Sequence, residues 1–137
     1  MAWDNARMPS SLPSSMSQPR LVDAALECFL DLGIAKTSLT DVASRAGISR
    51  ATTYRVFGDK DGLVTTVVQA EVGRFMTALD DTVDWSAPLA TALEHAVEFT
   101  LRYLHSHELL QRVLSREPEQ LTGVLIPGNT QSSLVEV

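Results

Sequence analysis

A short segment of the chain carries side chains that can read another molecule through hydrogen bonds and methyl contacts. Arg50, Thr52 and Arg55 offer donors, and Ala51 and Thr52 offer small methyl groups. A guanidinium group can donate two parallel hydrogen bonds to O6 and N7 of guanine, and a methyl group can contact the thymine methyl. The alternative is that Arg50 and Arg55 are ordinary solvated charges. The elements around this segment decide between the two interpretations.

The flanking segments predict two short helices joined by a tight turn. Ser38 and Asp41 form a capping box, in which each side chain accepts a hydrogen bond from the other residue's amide, and Gly47 ends this helix. Ser49 is a favourable N-cap for the next helix, which ends at Gly58. Two helices joined by a short turn that contains glycine indicate a helix-turn-helix. Its second helix enters the major groove of DNA, which places the four side chains described above near base edges.

Contacts to the phosphate backbone are expected from hydroxyl groups, helix N-termini and cations. Thr37, Ser38 and Ser49 carry hydroxyl groups where the two helices begin and where the helix dipole is positive. Lys60 lies at the start of the following helix, where a cation is disfavoured, so its position indicates an anionic partner. The hydroxyl of Tyr54 could reach a phosphate while its ring covers the core, although a plain boundary tyrosine is the alternative.

The order of residues within 20–68 is specific. It reads Gly33, then Thr37-Ser38-Leu39-Thr40-Asp41-Val42-Ala43, then Ala46-Gly47-Ile48-Ser49, then Thr52, Tyr54, Phe57, Lys60 and Leu63. This order resembles the DNA-binding domain of the TetR family of bacterial repressors. The resemblance implies a homodimeric repressor whose C-terminal helical domain binds a small effector and then releases the operator. By position it also places Thr40, Arg50, Ala51 and Thr52 near bases, and Tyr54 and Lys60 at phosphates.

Three features depart from the family pattern. Thr53 stands where the family usually has a core leucine, so the reading helix is expected to be anchored less firmly. Val56 replaces a residue that is often aromatic or histidine and often touches DNA. The chain also ends before the helices through which family members pair, so a truncated ligand and dimerisation domain is expected.

The chain as a whole is predicted to be all-α, because helical periodicity recurs along it and no segment has the alternation of a strand. Residues 1–19 are rich in proline and serine and predict a disordered leader. A three-helix DNA-binding domain is expected over 20–63, a helical regulatory and dimerisation domain over 64–126, and a tail over 127–137. The helices are predicted over Arg20–Leu32, from Ser38 to Gly47, from Ser49 to Gly58, over Lys60–Leu79, from Ser86 to Ser106, over Glu108–Arg116, and from Pro118 to Leu125, with an acidic loop over Asp80–Trp85.

An effector pocket is expected near Phe75, Phe99 and Tyr103, together with the apolar stripe over Leu89–Leu104. The alternative is that these residues form plain core. The acidic composition favours an effector that is neutral, cationic or apolar.

The formal net charge of −6 argues against a DNA-binding protein, since DNA is a polyanion. The acidic excess lies from Leu63 onward, where four arginines face ten acidic residues. Between Lys36 and Lys60, five basic residues face only Asp41 and Asp59, so the candidate DNA-binding segment is locally basic.

The single cysteine, Cys28, cannot form an internal disulfide and fits a reducing cytoplasm. No apolar run is long enough to cross a bilayer, so no membrane association is expected.

Two other classes of function compete with DNA binding. An enzyme is disfavoured, because His95, His105 and His107 match no metal-binding pattern and the chain lacks a nucleophile elbow and a phosphate-binding glycine loop. No metal or cofactor is expected. The second class is an interaction protein that pairs with a full-length relative and does not bind DNA alone. Its exposed apolar patch would be formed by Val113, Leu114, Leu121, Val124, Leu125 and Ile126.

Overall fold

The computed structural model describes residues 14–125, and seven α-helices joined by short turns occupy this range. The described residues contain no β-strand, and the all-α prediction is confirmed. In chain order the helices are α1 (Ser14–Leu32), α2 (Leu39–Ala46), α3 (Arg50–Phe57), α4 (Lys60–Thr82), α5 (Leu89–Ser106), α6 (Glu108–Arg116) and α7 (Glu119–Leu125).

Helix α1 begins at Ser14 and not at Arg20, so residues 14–19 of the predicted disordered leader are helical. Pro19 lies in the second turn of this helix, where a proline removes one intrahelical hydrogen bond. The side chains of Ser17 and Leu21 are buried and hold these turns against the protein. The rest of the leader, residues 1–13, and the predicted tail lie outside the described residues.

One apolar core joins the N-terminal helices to a helix from the second half of the chain. Phe29 of α1, Val42 of α2, and Leu63 and Val67 of α4 are almost completely buried in this core. Val113 of α6 belongs to the same core and is only 4% exposed. The predicted domain boundary after residue 63 falls within α4, so a continuous helix and a shared core connect the two predicted regions.

The later helices follow the predicted order, but the connection between α4 and α5 is displaced along the chain. Helix α4 continues to Thr82, so Asp80 and Asp81 are helical, and α5 begins at Leu89 and not at Ser86. The predicted acidic loop is therefore shifted by three residues and keeps its length. The amide of Val83 donates to the carbonyl of Leu79 at 3.0 Å, and the side chain of Val83 is buried. This buried valine extends the apolar pattern of α4 by one turn.

Helix α5 presents an apolar stripe to solvent. Leu89, Leu93, Val97 and Leu101 recur every four residues, and their side chains are between 52% and 74% exposed. The opposite side of α5 packs on α4 through the buried Ala92. The prediction that the whole stripe lines an effector pocket is therefore wrong for these four residues.

Within residues 14–125, no helix is both long enough and apolar enough to span a bilayer.

Candidate nucleic-acid interface

The start of α2 is fixed by the predicted capping box. The amide of Asp41 donates to Oγ of Ser38 at 3.1 Å, and the amide of Ser38 donates to Oδ2 of Asp41 at 2.9 Å. The Ser38 hydroxyl also donates to this carboxylate at 2.8 Å. The backbone and hydroxyl hydrogen bonds from Ser38 lower the pKa of Asp41 below the usual value of 3.8. Ser38 is thus exposed at a helix N-terminus with its side chain held in one orientation.

Replacing Asp41 by asparagine should remove a pH-dependent part of the stability. Because the pKa of Asp41 is lower in the folded chain than in the unfolded chain, its stabilising effect is full above pH 3.8 and is lost as the pH falls through the folded value. The free energy of unfolding in urea should be measured for the unchanged chain and for Asp41→Asn between pH 3 and pH 6. The difference between the two values should be largest near pH 6. A difference that stays constant over this range would contradict the assignment. Asp61→Asn, which changes an exposed aspartate in the first turn of α4, is the control.

The turn between α2 and α3 is held at both ends. Gly47 has φ 65° and ψ 34°, a left-handed conformation that strains any residue with a Cβ. Its amide donates to the carbonyls of Ala43 and Ser44, and the amide of Ile48 donates to the carbonyl of Ala43 at 3.0 Å. The guanidinium of Arg20 on α1 donates to the carbonyl of Ala46 at 3.0 Å. These bonds fix the angle at which α3 leaves α2.

Helix α3 is capped and anchored by neighbouring hydroxyl groups. Oγ of Ser49 accepts from the amide of Thr52 at 3.2 Å and donates to the hydroxyl oxygen of Thr52 at 3.0 Å. Thr53 is completely buried, and its hydroxyl donates to the carbonyl of Ser49 at 2.9 Å. The threonine in the place of a family leucine therefore has a satisfied hydroxyl group in the core.

The predicted base-reading side chains come together on the outer side of α3. Arg50, Ala51 and Arg55 are exposed, and Thr52 is half-buried. Neither arginine has a hydrogen bond or an ion pair with any described residue. Tyr54 is 49% exposed beside them, and Thr40 is half-buried in the first turn of α2. The side of α3 that carries these residues can therefore approach another molecule without breaking contacts within the chain.

Two residues predicted to contact phosphate have side chains that are engaged within the chain. Thr37 is buried, and its hydroxyl donates to the carbonyl of Gly33 at 2.8 Å, so this hydroxyl is turned away from the surface. Lys60 is half-buried, and its ammonium donates to the carbonyl of Ile34 at 2.6 Å and to that of Thr37. Burial lowers the pKa of Lys60. Backbone carbonyls therefore provide partners within the chain for a lysine at this helix start.

The local positive charge is smaller than the sequence count indicates. Arg45 donates to Asp31 at 2.6 Å and lies 3.6 Å from Glu27, both on α1. The hydrogen bond that Arg45 donates to Asp31 is the main cause of the raised pKa of Arg45. Since Lys60 is engaged as well, the exposed cations of the segment without a partner among the described residues are Lys36, Arg50 and Arg55.

A cavity of about 260 Å³ lies behind the DNA-binding segment and is walled by α1, α4, α5, α6 and α7. Its lining is mostly apolar and includes Phe75 and Tyr103, as predicted for the effector pocket. Phe99 does not line it, because this ring stacks against Phe75 with ring centroids 6.0 Å apart and thus supports the wall from behind. Of the exposed stripe on α5, Leu104 alone extends to this cavity.

A chain of polar side chains connects this cavity to α1. In the cavity wall, Nε2 of His107 lies 2.7 Å from Oε2 of Glu71. Oε1 of Glu71 accepts from Arg74 at 2.7 Å, and the same guanidinium donates to Asp23 on α1 at 2.7 Å. The wall of the cavity and the first helix are therefore linked by hydrogen bonds as well as by the core.

Sequence reasoning missed Glu117. Its carboxylate accepts hydrogen bonds from the amides of Ile34 and Ala35, at 3.0 and 2.9 Å. These partners are 83 and 82 positions away in the chain, so no local pattern could indicate the contact.

The apolar patch predicted near the C-terminus is not formed as described. Val113 is buried in the core, and Leu121 is half-buried against it. Leu114 is exposed, and the side chains of residues 124–126 lie outside the described ones. The larger exposed apolar surface lies on α5 instead.

Comparison with known proteins identifies the helix-turn-helix. Residues 21–67, which contain α2, α3 and the turn between them, match the family of bacterial regulatory proteins known as the tetR family. This segment is thus similar to the tetR family, and the resemblance predicted from the sequence is confirmed.

Relatives extend the likeness beyond residues 21–67. An uncharacterised HTH-type transcriptional regulator of Mycobacterium bovis is 32% identical over 85% of this chain and 60% of its own length. An HTH-type transcriptional repressor of Mycobacterium tuberculosis is 26% identical over 93% of this chain and 55% of its own length. The structure of a TetR-like transcriptional regulator from a Rhodococcus species aligns with a TM-score of 0.62 at 27% identity, covering 84% of this chain and 66% of that one. The chain thus spans less than two thirds of the length of these curated relatives.

Proposed function

We propose that this protein is a sequence-specific transcriptional regulator, an effector-responsive repressor that binds a palindromic operator as a homodimer. The observation that carries the proposal is the outer side of α3, where Arg50 and Arg55 are exposed and unpaired within a fixed helix-turn-helix. The relative from Mycobacterium tuberculosis that is named a repressor supports the proposal that this protein represses transcription.

The base contacts are assigned to the side of the helix-turn-helix that faces solvent. Arg50 and Arg55 donate to guanine, and the methyl groups of Ala51 and Thr52 contact thymine. Thr40 lies near the same groove from the start of α2. Because Ser49 donates to the hydroxyl oxygen of Thr52, the hydroxyl proton of Thr52 remains available for a base or a phosphate.

The phosphate contacts are assigned to groups that the fold leaves accessible. The N-terminal turns of α2 and α3 begin at Ser38 and Ser49, and such turns favour an anion. Tyr54 and Lys36 are exposed, and the ammonium of Lys36 has no partner among the residues that the structure describes, so both residues can supply further phosphate contacts. Thr37 and Lys60 act indirectly, by holding the residues that lead into α2.

The effector is proposed to bind in the cavity between α1 and the later helices. Its walls, formed in part by Phe75 and Tyr103, are mostly apolar, and an unpaired charge is costly in such surroundings. A mainly apolar, uncharged molecule fits them best. Its hydrogen-bonding group would meet Glu71, His107 or Gln120, and a shift of Glu71 would reach α1 through Arg74.

The homodimer is supported by the exposed stripe on α5, because large apolar patches on soluble proteins usually mark interaction sites. The same stripe favours one alternative, a chain that pairs with a longer relative and does not bind DNA by itself.

A single buried cysteine, Cys28, is consistent with the reducing cytoplasm, where we place the protein.

Selection of bound duplexes from a random DNA library tests the function. Enrichment of a palindrome with half-sites about one helical turn apart is the expected result. A single enriched half-site would support DNA reading and contradict the homodimer. Absence of any enrichment would contradict the regulator and favour the interaction partner, which sedimentation of the chain mixed with a longer relative would then detect.

A further inference from the structure

Glu117, at the junction of α6 and α7, holds the residues that lead from α1 into α2. Its two carboxylate oxygens accept from consecutive amides, with Oε1 3.0 Å from the nitrogen of Ile34 and Oε2 2.9 Å from that of Ala35. Hydrogen bonds to an ionised carboxylate are about twice as strong as those between neutral groups. One side chain from the second half of the chain therefore satisfies two backbone donors in the DNA-binding domain.

The other side of the same turn is held by a cation. The ammonium of Lys60 donates to the carbonyls of Ile34 and Thr37, so residues 34–37 lie between a carboxylate on their amides and an ammonium on their carbonyls. The two opposite charges come from different elements, the α6–α7 junction and the start of α4. They therefore fix the turn relative to both parts of the chain.

The backbone at Gly33 is shaped for this contact. Its φ of +89° is a left-handed conformation, and a Cβ built there would lie 2.6 Å from Oε1 of Glu117. A side chain at position 33 would displace the carboxylate. Glu117 itself is kept in place because its amide donates to the carbonyl of Val113 at 2.9 Å, and Val113 is part of the core.

The turn held by Glu117 leads directly into the DNA-binding elements. Thr37 closes it with a hydrogen bond to the carbonyl of Gly33, and Ser38 then begins α2. Helix α2 in turn packs on α3, which carries the reading side chains. A displacement of the turn would therefore change where the N-terminus of α2 meets the phosphate backbone.

We propose that Glu117 is a positioning residue for DNA binding, which acts from the α6–α7 junction by fixing residues 33–37 and the start of α2. The inference rests on the proposed DNA-binding function. Val113, Gln120 and Leu121, on either side of Glu117, line the cavity, so a molecule bound there would act on this contact directly.

The test is the DNA affinity of Glu117→Gln in the full chain, measured on the duplex recovered by selection. The amide group of glutamine has one acceptor oxygen and no charge, so it cannot satisfy both amides. Binding should weaken roughly tenfold, since each bond to a charged acceptor contributes enough to change an equilibrium by that factor. Hydrogen exchange at the amides of Ile34 and Ala35 should accelerate, while circular dichroism and urea unfolding report the folded fraction.

The sign of the effect separates positioning from bulk electrostatics. Removing an acidic group by itself favours DNA binding, and the control Glu119→Gln, an exposed glutamate in the first turn of α7, should bind as well as the unchanged chain or better. Glu117→Asp keeps the charge but shortens the side chain and should weaken binding too. If Glu117→Gln bound DNA as well as Glu119→Gln does, the role of Glu117 would be overturned and the proposed function would stand. An unchanged chain that binds no duplex would instead remove the proposed function, and with it this role.

Discussion

Replacing Arg50 by alanine should weaken binding to the selected duplex by about 1–3 kcal/mol, which corresponds to a factor of roughly 5 to 150. The reason is that Arg50 is exposed at the first position of α3 and has no partner within the described residues, so its donors are available for a guanine edge. The variant should lose its preference for a particular base pair at one position of the half-site. A repeated selection with the variant should show relaxed preference at one position of each half-site and an unchanged preference elsewhere.

Arg102→Ala is the matched control for this prediction. Arg102 is also an exposed helical arginine, but it lies on α5 and pairs with Glu98 four residues earlier. Its removal should leave both affinity and base preference unchanged. An Arg50 variant that loses affinity equally on all duplexes would show that Arg50 contacts phosphate, and a variant with no loss would show that the reading surface is assigned to the wrong side of α3.

Leu63→Ala should cost about 2–5 kcal/mol of unfolding free energy, because it leaves a cavity in close-packed core. Leu63 is completely buried in α4, in the cluster that joins α1, α2 and α3. Small domains are stable by only about 5–15 kcal/mol, so this single change should remove a large share of the total. Urea unfolding followed by circular dichroism measures it, and the midpoint should fall without a change in slope.

Leu114→Ala is the same chemical change at a site that is 50% exposed, and it should cost less than about 0.5 kcal/mol. Equal losses for the two variants would contradict the described core. The Leu63 variant should lose protection from hydrogen exchange in both parts of the chain. If only the DNA-binding segment lost protection, while α5 and α6 kept theirs, the core shared through Val113 would be contradicted.

Local patterns predicted the helix-turn-helix because its determinants are local. The capping box of Ser38 and Asp41, the left-handed Gly47 and the N-cap Ser49 each act within a few residues, and the structure has all of them in the predicted roles. The residues on the outer side of α3 could be predicted because these caps fix where the helix begins and ends. The family resemblance rests on the same residues.

Contacts that depend on a distant partner or on tertiary packing leave no local pattern. The carbonyl partners of Lys60 lie 23 to 26 positions away in the chain and follow no periodic pattern. Thr37 could not be recognised as buried from its position alone. Glu117 had no local signal at all. The start of α1 was placed too late because composition suggested disorder, whereas burial of Ser17 and Leu21 stabilises the added turns.

The pairing of Arg45 with Asp31 has a consequence for how the protein would search a genome. With Arg45 neutralised and Lys60 turned inward, each proposed DNA-binding segment offers Lys36, Arg50 and Arg55 as cations that have no partner within residues 14–125. If all three met phosphates, the affinity would fall with about the third power of salt concentration per segment, a shallow dependence. Weak attraction to arbitrary sequence would follow, in a chain whose net charge is −6. Such a regulator would spend little time on non-specific DNA, so its occupancy of an operator would depend on matched bases and change little with the ionic conditions of the cell.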